Sequence, residues 1–237
     1  MLVAEIPQEG RCLEIGVGTG RIALPLARAG VSMVGVDISR EMLRKLIQNS
    51  DGAPPAVVIG DATRLPFGEG KFSAVIAAHV LHLIPEWRQA IVEAIRVLRR
   101  DGVLIASRGA RTKQRQEGEL PTDAWERRVV HRFFAEAGDP PWPPGADRIE
   151  DVDDHMRELG AAVSELPVLE SLESLSINAC LANLEAGRWA VCWSMDESTR
   201  KHAAAAARAW AAKELGDLDE PRPLVDSSIW HVYRLGK

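Results

Sequence analysis

Short apolar runs alternate with longer amphipathic stretches along the first half of the chain. The apolar runs lie at residues 11–17, 31–37, 56–61, 72–78 and 103–107. Runs of this kind are typical of parallel strands that are buried on both faces. The pattern therefore predicts an α/β fold in which helices pack on both faces of a doubly wound, mostly parallel sheet.

The amphipathic stretches predict the helices between these strands. A helix within residues 19–30 is expected to bend at Pro25, which would fall past its first turn. Ser39 is predicted to cap the next helix, because a serine side chain can accept a hydrogen bond from an amide of the first turn. A third helix is predicted from Glu86 to the Asp101-Gly102 pair.

The second half of the chain lacks this regular alternation. One helix is predicted around residues 122–134, before a proline-rich turn at 138–147, and a helix and strand follow within 147–170. Two further helices are predicted around 171–187 and 197–215, and an apolar strand at 227–236 closes the chain. No internal repeat is evident.

A glycine-rich turn directly follows the first predicted strand. Gly16, Gly18 and Gly20 would let the backbone turn sharply and let a ligand approach more closely than a Cβ atom allows. Arg21 stands where a GxGxxG pattern would need its last glycine, so the dinucleotide pyrophosphate fingerprint is not met. Taken alone, the turn is also compatible with an ordinary connection between strand and helix.

Acidic residues end the next two strands. Asp37 could accept hydrogen bonds from both hydroxyl groups of a ribose, and Asp61 could accept one from the exocyclic amine of an adenine. The apolar side chains of Ile38, Met42 and Ala62 are then expected to flank the adenine ring. The alternative for both acids is a structural role at a helix entry or a turn.

Five segments with these features occur in a characteristic order, namely LEIGVGTGRIALPLA, MVGVDIS, IGDATRLPF, FSAVIAAHVLHLIPEW and AIRVLRRDGVLI. Together they resemble the successive motifs of the class I S-adenosylmethionine-dependent methyltransferases, and most closely the small-molecule branch that includes the ubiquinone and menaquinone methyltransferases. The resemblance covers residues 11–108. It implies a Rossmann-like, seven-stranded sheet with an antiparallel last strand, S-adenosyl-L-methionine as cofactor and S-adenosyl-L-homocysteine as product.

The resemblance also implies a role for each matching residue. The methionine part of the cofactor would be surrounded by Glu14, Gly16, Val17, Gly18 and Gly20. The ribose would lie at Asp37, the adenine at Ile38, Met42, Asp61 and Ala62, and the sulfonium end beside Ala78 and His79. His79 is the candidate general base, which is needed only if the acceptor must lose a proton. The alternative for His79 is a hydrogen-bonded structural role, and His82 is expected to be a packing residue.

One departure from the family concerns the start of the chain. Family members usually carry a helical segment of some tens of residues before the first strand, whereas here that strand begins about ten residues after Met1. The cover that this segment provides would be missing, supplied from elsewhere, or lost from a truncated sequence.

Composition narrows the class of protein further. The 237 residues carry a net charge of -5, which gives no broad attraction to nucleic acid. The three cysteines lack the spacing of a metal site or a redox pair, so a cytoplasmic, reducing environment is expected. No apolar run approaches the roughly 20 residues of a membrane span, and no secretory signal is recognisable. No metal site is expected, because Asp153, Asp154 and His155 are adjacent and point to different sides of a helix.

Aromatic residues are unevenly distributed, with three in residues 1–110 and nine in residues 111–237. We therefore expect one methyltransferase domain over residues 1–237, with its core in 11–110, 147–170 and 227–236. Helical cap inserts would occupy 111–146 and 171–226.

The inserts would contact a small acceptor that is partly apolar or aromatic. Candidate acceptor contacts are Arg108, Trp125 and Trp189, and their alternatives are a surface arginine and tryptophans that belong to the core. Asp123, Arg127 and His131 share one helix face, which could line a pocket or be a solvated ion-paired surface.

The sequence is compatible with several functions. The chain could be a regulatory protein that binds S-adenosylmethionine without transferring its methyl group. An NAD-dependent oxidoreductase is disfavoured by Arg21 and by Asp61. Methylation of RNA or protein is disfavoured by the acidic charge balance. The acceptor, the attacking atom (carbon, nitrogen or oxygen) and the oligomeric state are not determined.

Overall fold

The computed structural model describes residues 1–109, 123–141, 143–146 and 148–236. The chain forms two compact units. Unit 1 comprises Met1–Gly109, Pro144–Val168 and Ser228–Lys237, and unit 2 comprises Ala110–Pro143 and Leu169–Ser227.

A mostly parallel sheet forms the centre of unit 1. The strands of the chain are β1 (Cys12–Ile15), β2 (Met33–Asp37), β3 (Ala56–Ile59), β4 (Phe72–Ala78), β5 (Leu98–Gly109), β6 (Ala161–Glu165), β7 (Leu169–Leu175) and β8 (Arg222–Leu235). β7 and the first residues of β8 fall within unit 2. Seven of them follow the order β3-β2-β1-β4-β5-β8-β6. β8 is antiparallel to both of its neighbours in this order, β5 and β6. The predicted seven-stranded sheet with an antiparallel last strand is confirmed.

The helices are α1 (Leu2–Glu5), α2 (Ala23–Arg28), α3 (Arg40–Gln48), α4 (Trp87–Val97), α5 (Asp123–Glu136), α6 (Ile149–Glu158), α7 (Ile177–Glu185) and α8 (Glu197–Glu214). Short 3-10 turns occur at Leu81–Leu83 and Ala190–Ser194. None of the helices in the described part of the chain is long and apolar enough to cross a membrane.

Two apolar clusters hold the sheet of unit 1 between its helices. One contains Trp87 and Ile91 of α4 with Met156 of α6, and the other contains Leu24 of α2 and Leu46 of α3. All seven residues of β4 are buried, as expected for a central strand. β3 differs, because it is the edge strand of the sheet and its residues are exposed or half-buried. The expectation that every strand is buried on both faces is therefore wrong for β3.

Three other local predictions need correction. α2 begins at Ala23, so Pro25 lies in its first turn, where the missing proline amide leaves no helical hydrogen bond unmade. α4 ends at Val97 rather than at Asp101-Gly102, because Leu98 already pairs with Phe72 as β5 begins. Residues 171–175 belong to strand β7, which pairs with β8, instead of the predicted helix. The predicted cap of α3 is confirmed, since the Met42 amide donates to Ser39 Oγ.

A buried polar network joins α6 to β8 within unit 1. The Asp153 Oδ1 atom lies 2.8 Å from His231 Nδ1 and accepts a hydrogen bond of 2.8 Å from the Tyr233 hydroxyl. All three side chains are buried. Burial, together with the charge of Asp153, raises the pKa of the Tyr233 hydroxyl far above its ordinary value. The network satisfies polar groups that would otherwise destabilise the core.

Unit 2 has its own apolar core between α5, α7 and α8. Phe133 from α5 and Leu181 from α7 are fully buried there, against the alanine-rich face of α8. Trp125 is 8% exposed in the same core, and its indole N–H donates to the Pro223 carbonyl oxygen. Trp189 packs against this core and is half-buried.

Candidate functional site

The glycine turn after β1 is built from backbone conformations that favour glycine. Gly16 has φ of 65° and Gly18 has φ of 54°. A Cβ atom on Gly16 would lie 2.3 Å from a methyl carbon of Val80, so packing as well as the backbone angle requires glycine there. Space next to Gly18 is open, with only the Gly16 carbonyl oxygen at 3.9 Å. Gly18 therefore leaves its backbone accessible to a ligand.

Asp37 stands at the end of β2 and is fixed by two backbone amides. The Gly18 amide donates to Asp37 Oδ2 at 2.8 Å, and the Ser39 amide donates to Asp37 Oδ1 at 2.8 Å. These two hydrogen bonds use about half of the lone pairs of the carboxylate. The remaining lone pairs can accept hydrogen bonds from hydroxyl groups of a ligand. The next side chain, Ile38, is 76% exposed beside it, while Met42 on α3 is half-buried.

Glu14 is a buried acid within β1, and it is 2% exposed. Its Oε2 atom has no hydrogen-bond partner. Burial raises the pKa of the Glu14 carboxyl from 4.5 to about 8, and the charge of Asp37 adds to the rise, whereas the Ala23 amide and Arg21 oppose it. A buried carboxyl oxygen without a partner calls for an explanation, and a cationic ligand would provide one.

Asp61 follows β3 in a loop that is tied to α4. Glu93 accepts a hydrogen bond from the Leu65 amide, and Arg96 donates to the carbonyl oxygens of Leu65 and Phe67. The Asp61 carboxylate accepts hydrogen bonds from the amide and hydroxyl of Thr63, both at 2.8 Å, and these lower its pKa. Asp61 is exposed, and the adjacent Ala62 is half-buried.

β4 ends at the buried Ala78, and His79 follows it with φ of 53°, a conformation that is uncommon for residues other than glycine. The His79 amide donates to the carbonyl oxygen of Ser107 on β5 at 2.8 Å. The His79 side chain is half-buried. Such backbone outliers occur often at functional sites, and here the outlier coincides with the end of the central strand.

Residues 144–146 contact the turn that follows β4, and the sequence did not predict this contact. The amides of Gly145 and Ala146 donate to the carbonyl oxygens of His82 and Leu81, at 2.9 and 3.1 Å. A glycine within a proline-rich run was the signal that the sequence offered. Local sequence could not show that its partner is the backbone of Leu81 and His82. A small recess of about 10 Å³ beside it has room for roughly one water molecule.

The structure brings the predicted cofactor residues together at the carboxyl ends of the parallel strands in unit 1. β1, β2, β3 and β4 are parallel neighbours in the order β3-β2-β1-β4, so Glu14, Asp37, Asp61 and His79 lie at or near carboxyl ends of adjacent strands. Val17 and Gly20 belong to the same turn, and the Val17 amide donates to the Val36 carbonyl oxygen.

The predicted acceptor residues are distributed differently. The side chains of Arg108 and Asp123 lie outside the described residues. Arg127 and His131 are exposed on α5, and Trp125 and Trp189 belong to unit 2. Across the described residues, no group of three or more histidine, cysteine, aspartate or glutamate side chains could hold a metal ion.

The parallel strands and their helices form a Rossmann-like domain, and the acids lie at the carboxyl ends of the strands, where folds of this type place their ligands. Residues 13–106 match the family described as "Methyltransferase domain". This part, about two fifths of the chain, resembles the class I S-adenosylmethionine-dependent methyltransferases.

Two curated relatives share this region. A phosphatidylethanolamine N-methyltransferase of Cereibacter sphaeroides is 37% identical over 109 residues, which are 44% of this chain and 53% of that protein. A demethylmenaquinone methyltransferase of Renibacterium salmoninarum is 32% identical over 105 residues, which are 44% of this chain and 43% of that protein. The chain spans about half the length of the curated relatives it matches.

A solved structure shares the fold over a larger part of the chain. The YcgJ protein of Bacillus subtilis has a TM-score of 0.63 and 18% sequence identity, and the match covers 100% of this chain and 96% of that protein. At this level of identity the likeness concerns the fold.

Proposed function

We propose that this chain transfers the methyl group of S-adenosylmethionine to a small-molecule acceptor. The observation that carries the proposal is Glu14, a buried carboxyl with an unpartnered oxygen, next to an Asp37 carboxylate that two amides hold in place. The Glu14 carboxyl could pair with a cationic group such as an ammonium. The Asp37 carboxylate could accept hydrogen bonds from the hydroxyl groups of a ribose.

The residues present fit this cofactor, which supplies an electrophilic methyl group on a positively charged sulfur. Glu14 and the Gly16–Gly20 turn would hold its amino-acid part, where the open space at Gly18 permits close backbone approach. Asp37 would bind the ribose. Asp61 and Ala62 would hold the adenine, with Ile38 and Met42 at its faces.

His79 is the proposed base for acceptors that must lose a proton. It follows Ala78 at the end of β4, beside the position that the family resemblance gives to the reacting end of the cofactor. Acceptors that are already nucleophilic would need only orientation and exclusion of water. The domain would then accelerate transfer mainly by holding the acceptor in line with the bond that breaks.

The predicted acceptor residues differ in the surface that they leave for a ligand. Trp189 is half-buried and retains surface for a contact, whereas Trp125 is almost fully used in the core of unit 2. The curated relatives act, by their names, on a phospholipid amine and on a quinone precursor. We infer an acceptor with an apolar body for this chain as well.

The direct test is calorimetric titration of the purified chain with S-adenosylhomocysteine. Asp37→Ala should weaken binding by at least about tenfold, because it removes the ribose acceptor and the partner of the Gly18 amide. Asp154→Ala is the matched control, since Asp154 is a surface acid that pairs with Arg157 on α6. Equal affinities for the wild type and Asp37→Ala would contradict the site, and absence of binding to the wild type would contradict the function.

Transfer itself requires a separate measurement. Incubation with S-adenosylmethionine and a panel of amines, phenols and quinols, read by mass spectrometry, should yield S-adenosylhomocysteine together with a product heavier by one methylene unit. Tight cofactor binding with no acceptor methylated across the panel would favour the regulatory alternative.

A further inference from the structure

The contact between residues 144–146 and the turn after β4 is unusually close. A Cβ atom on Gly145 would lie 2.1 Å from the Leu81 carbonyl oxygen and 2.6 Å from the His82 carbonyl carbon. Both of these are backbone atoms, so the collision could not be relieved by a side-chain rotation. Glycine at position 145 is therefore what allows the two hydrogen bonds from residues 145 and 146 to form.

The same turn touches the glycine turn of the candidate cofactor site. Val80 directly precedes the Leu81–Leu83 turn, and its side chain covers Gly16 so closely that a Cβ atom there would lie 2.3 Å from Val80 Cγ2. Val80 is 8% exposed, and the Leu83 amide donates to its carbonyl oxygen at 2.8 Å. A continuous series of contacts thus leads from Gly145 through the 81–82 backbone and Val80 to Gly16.

All the residues in this series belong to unit 1, although they lie far apart in the sequence. The 144–146 segment donates two hydrogen bonds to the turn, and His79, with its strained φ, immediately precedes Val80. A strained residue persists only where its surroundings hold it in place. The amide of His79 is held by Ser107, and the backbone after it is held by Gly145 and Ala146.

We propose that Gly145 is a positioning residue for the cofactor site, acting through the Leu81–His82 backbone and Val80 on the Gly16–Gly20 turn. The proposal rests on the proposed function, because the ligand that reports it is the methyltransferase product. Gly145 itself does not contact the cofactor in this proposal. Its role is to keep the β4 turn seated on the glycine turn.

The first test uses the unmodified chain and hydrogen exchange. Pro143 and Pro144 carry no amide hydrogen, so exchange in a peptide over residues 143–146 reports mainly Gly145 and Ala146. Binding of S-adenosylhomocysteine should slow this exchange about tenfold, because ordering the glycine turn stabilises the contacts behind it. Binding with unchanged exchange would overturn the proposal. If the wild type did not bind the ligand at all, the proposed function would fall, and this inference with it.

The second test uses substitution with a matched control. Gly145→Ala should lower the affinity of the folded protein for S-adenosylhomocysteine about tenfold. Gly68→Ala should leave it unchanged, because the nearest atom to a Cβ there is Cε of the flexible Lys71 side chain, at 3.3 Å. A role confined to stability predicts a lower melting temperature and an unaltered dissociation constant at temperatures where the variant is folded.

A double-mutant cycle checks the route of the coupling. Val80→Ala removes the side chain that links the two turns, so its effect on affinity and that of Gly145→Ala should be less than additive. Strict additivity would overturn the proposed route. Should Gly145→Ala fail to fold, the exchange experiment on the wild type decides the proposal alone.

Discussion

Replacement of Glu14 by glutamine should change how the stability of this protein depends on pH. Glutamine has nearly the shape of a protonated glutamic acid but cannot ionise. Glu14 is 2% exposed, and its pKa is raised to about 8. As the pH rises, the wild type therefore acquires a buried negative charge at Glu14, whereas Glu14→Gln stays neutral there.

The sign and size of the effect follow from proton linkage. Between the ordinary pKa of 4.5 and the folded value of about 8, the folded state holds a proton that the unfolded state has released. The free energy of unfolding therefore falls as pH rises through this window, by about 1.36 kcal/mol per pH unit. The stabilisation is fully present below pH 4.5 and is lost above the folded pKa. From pH 6 to pH 9 the loss attributable to Glu14 is about 2.7 kcal/mol, since titration is nearly complete beyond pH 8.

Urea denaturation at pH 6, 7, 8 and 9 measures this effect. The free energy of unfolding of the wild type should fall relative to that of Glu14→Gln by about 2.7 kcal/mol across the series. Glu9→Gln, at an exposed position near the start of β1, is the control and should run parallel to the wild type. Burial raises the pKa of the Cys12 thiol from 9.0 to about 12, so this thiol also makes the free energy of unfolding fall near pH 9. It does so in the wild type and in Glu14→Gln alike, and its contribution cancels from the difference between them. Parallel curves for the wild type and Glu14→Gln would refute the argument that Glu14 is protonated in the folded protein.

Two predictions concern stability. Trp125→Ala should lower the free energy of unfolding by about 3 to 5 kcal/mol, because it empties a large site in the core of unit 2 and leaves the Pro223 carbonyl without its indole partner. Trp193→Ala, at a side chain that is 58% exposed, should cost less than about 1 kcal/mol, and equal losses in thermal or urea unfolding would contradict the placement of Trp125. Asp153→Ala should cost about 3 kcal/mol, because two buried polar side chains lose their common acceptor. Its exposed neighbour gives the matched variant Asp154→Ala, which should unfold within about 0.5 kcal/mol of the wild type.

Much of the sheet could be predicted from local sequence, because a central parallel strand needs apolar residues on both faces. The predicted strand at residues 72–78 has the bounds that the structure gives to β4. The same reasoning failed for β3, whose apolar residues lie at an edge that local sequence cannot distinguish from the centre. It failed again at β7, because residues 171–175 become a strand only through pairing with β8, which is distant in the sequence.

The candidate site shows the same division between local and long-range information. Glycines 16, 18 and 20 and the acids at positions 37 and 61 were predictable, because a strand followed by a turn fixes where such residues lie. The hydrogen bond from Gly18 to Asp37 was not, since its partners are 19 residues apart and meet only when β1 and β2 pair. The raised pKa of Glu14 likewise depends on the layers that cover β1.

The sequence by itself determined the class of fold, the order of the candidate cofactor motifs and the residues at the strand ends. These depend on hydrophobic periodicity and turn chemistry, which act over a few residues. Only the tertiary structure decided that Asp153 meets partners 78 and 80 residues away, and that Gly145 lies against the backbone of Leu81 and His82. Such contacts depend on how whole helices and strands pack together. An unpaired polar group or a cavity costs free energy only once the helices cover the sheet and bury it.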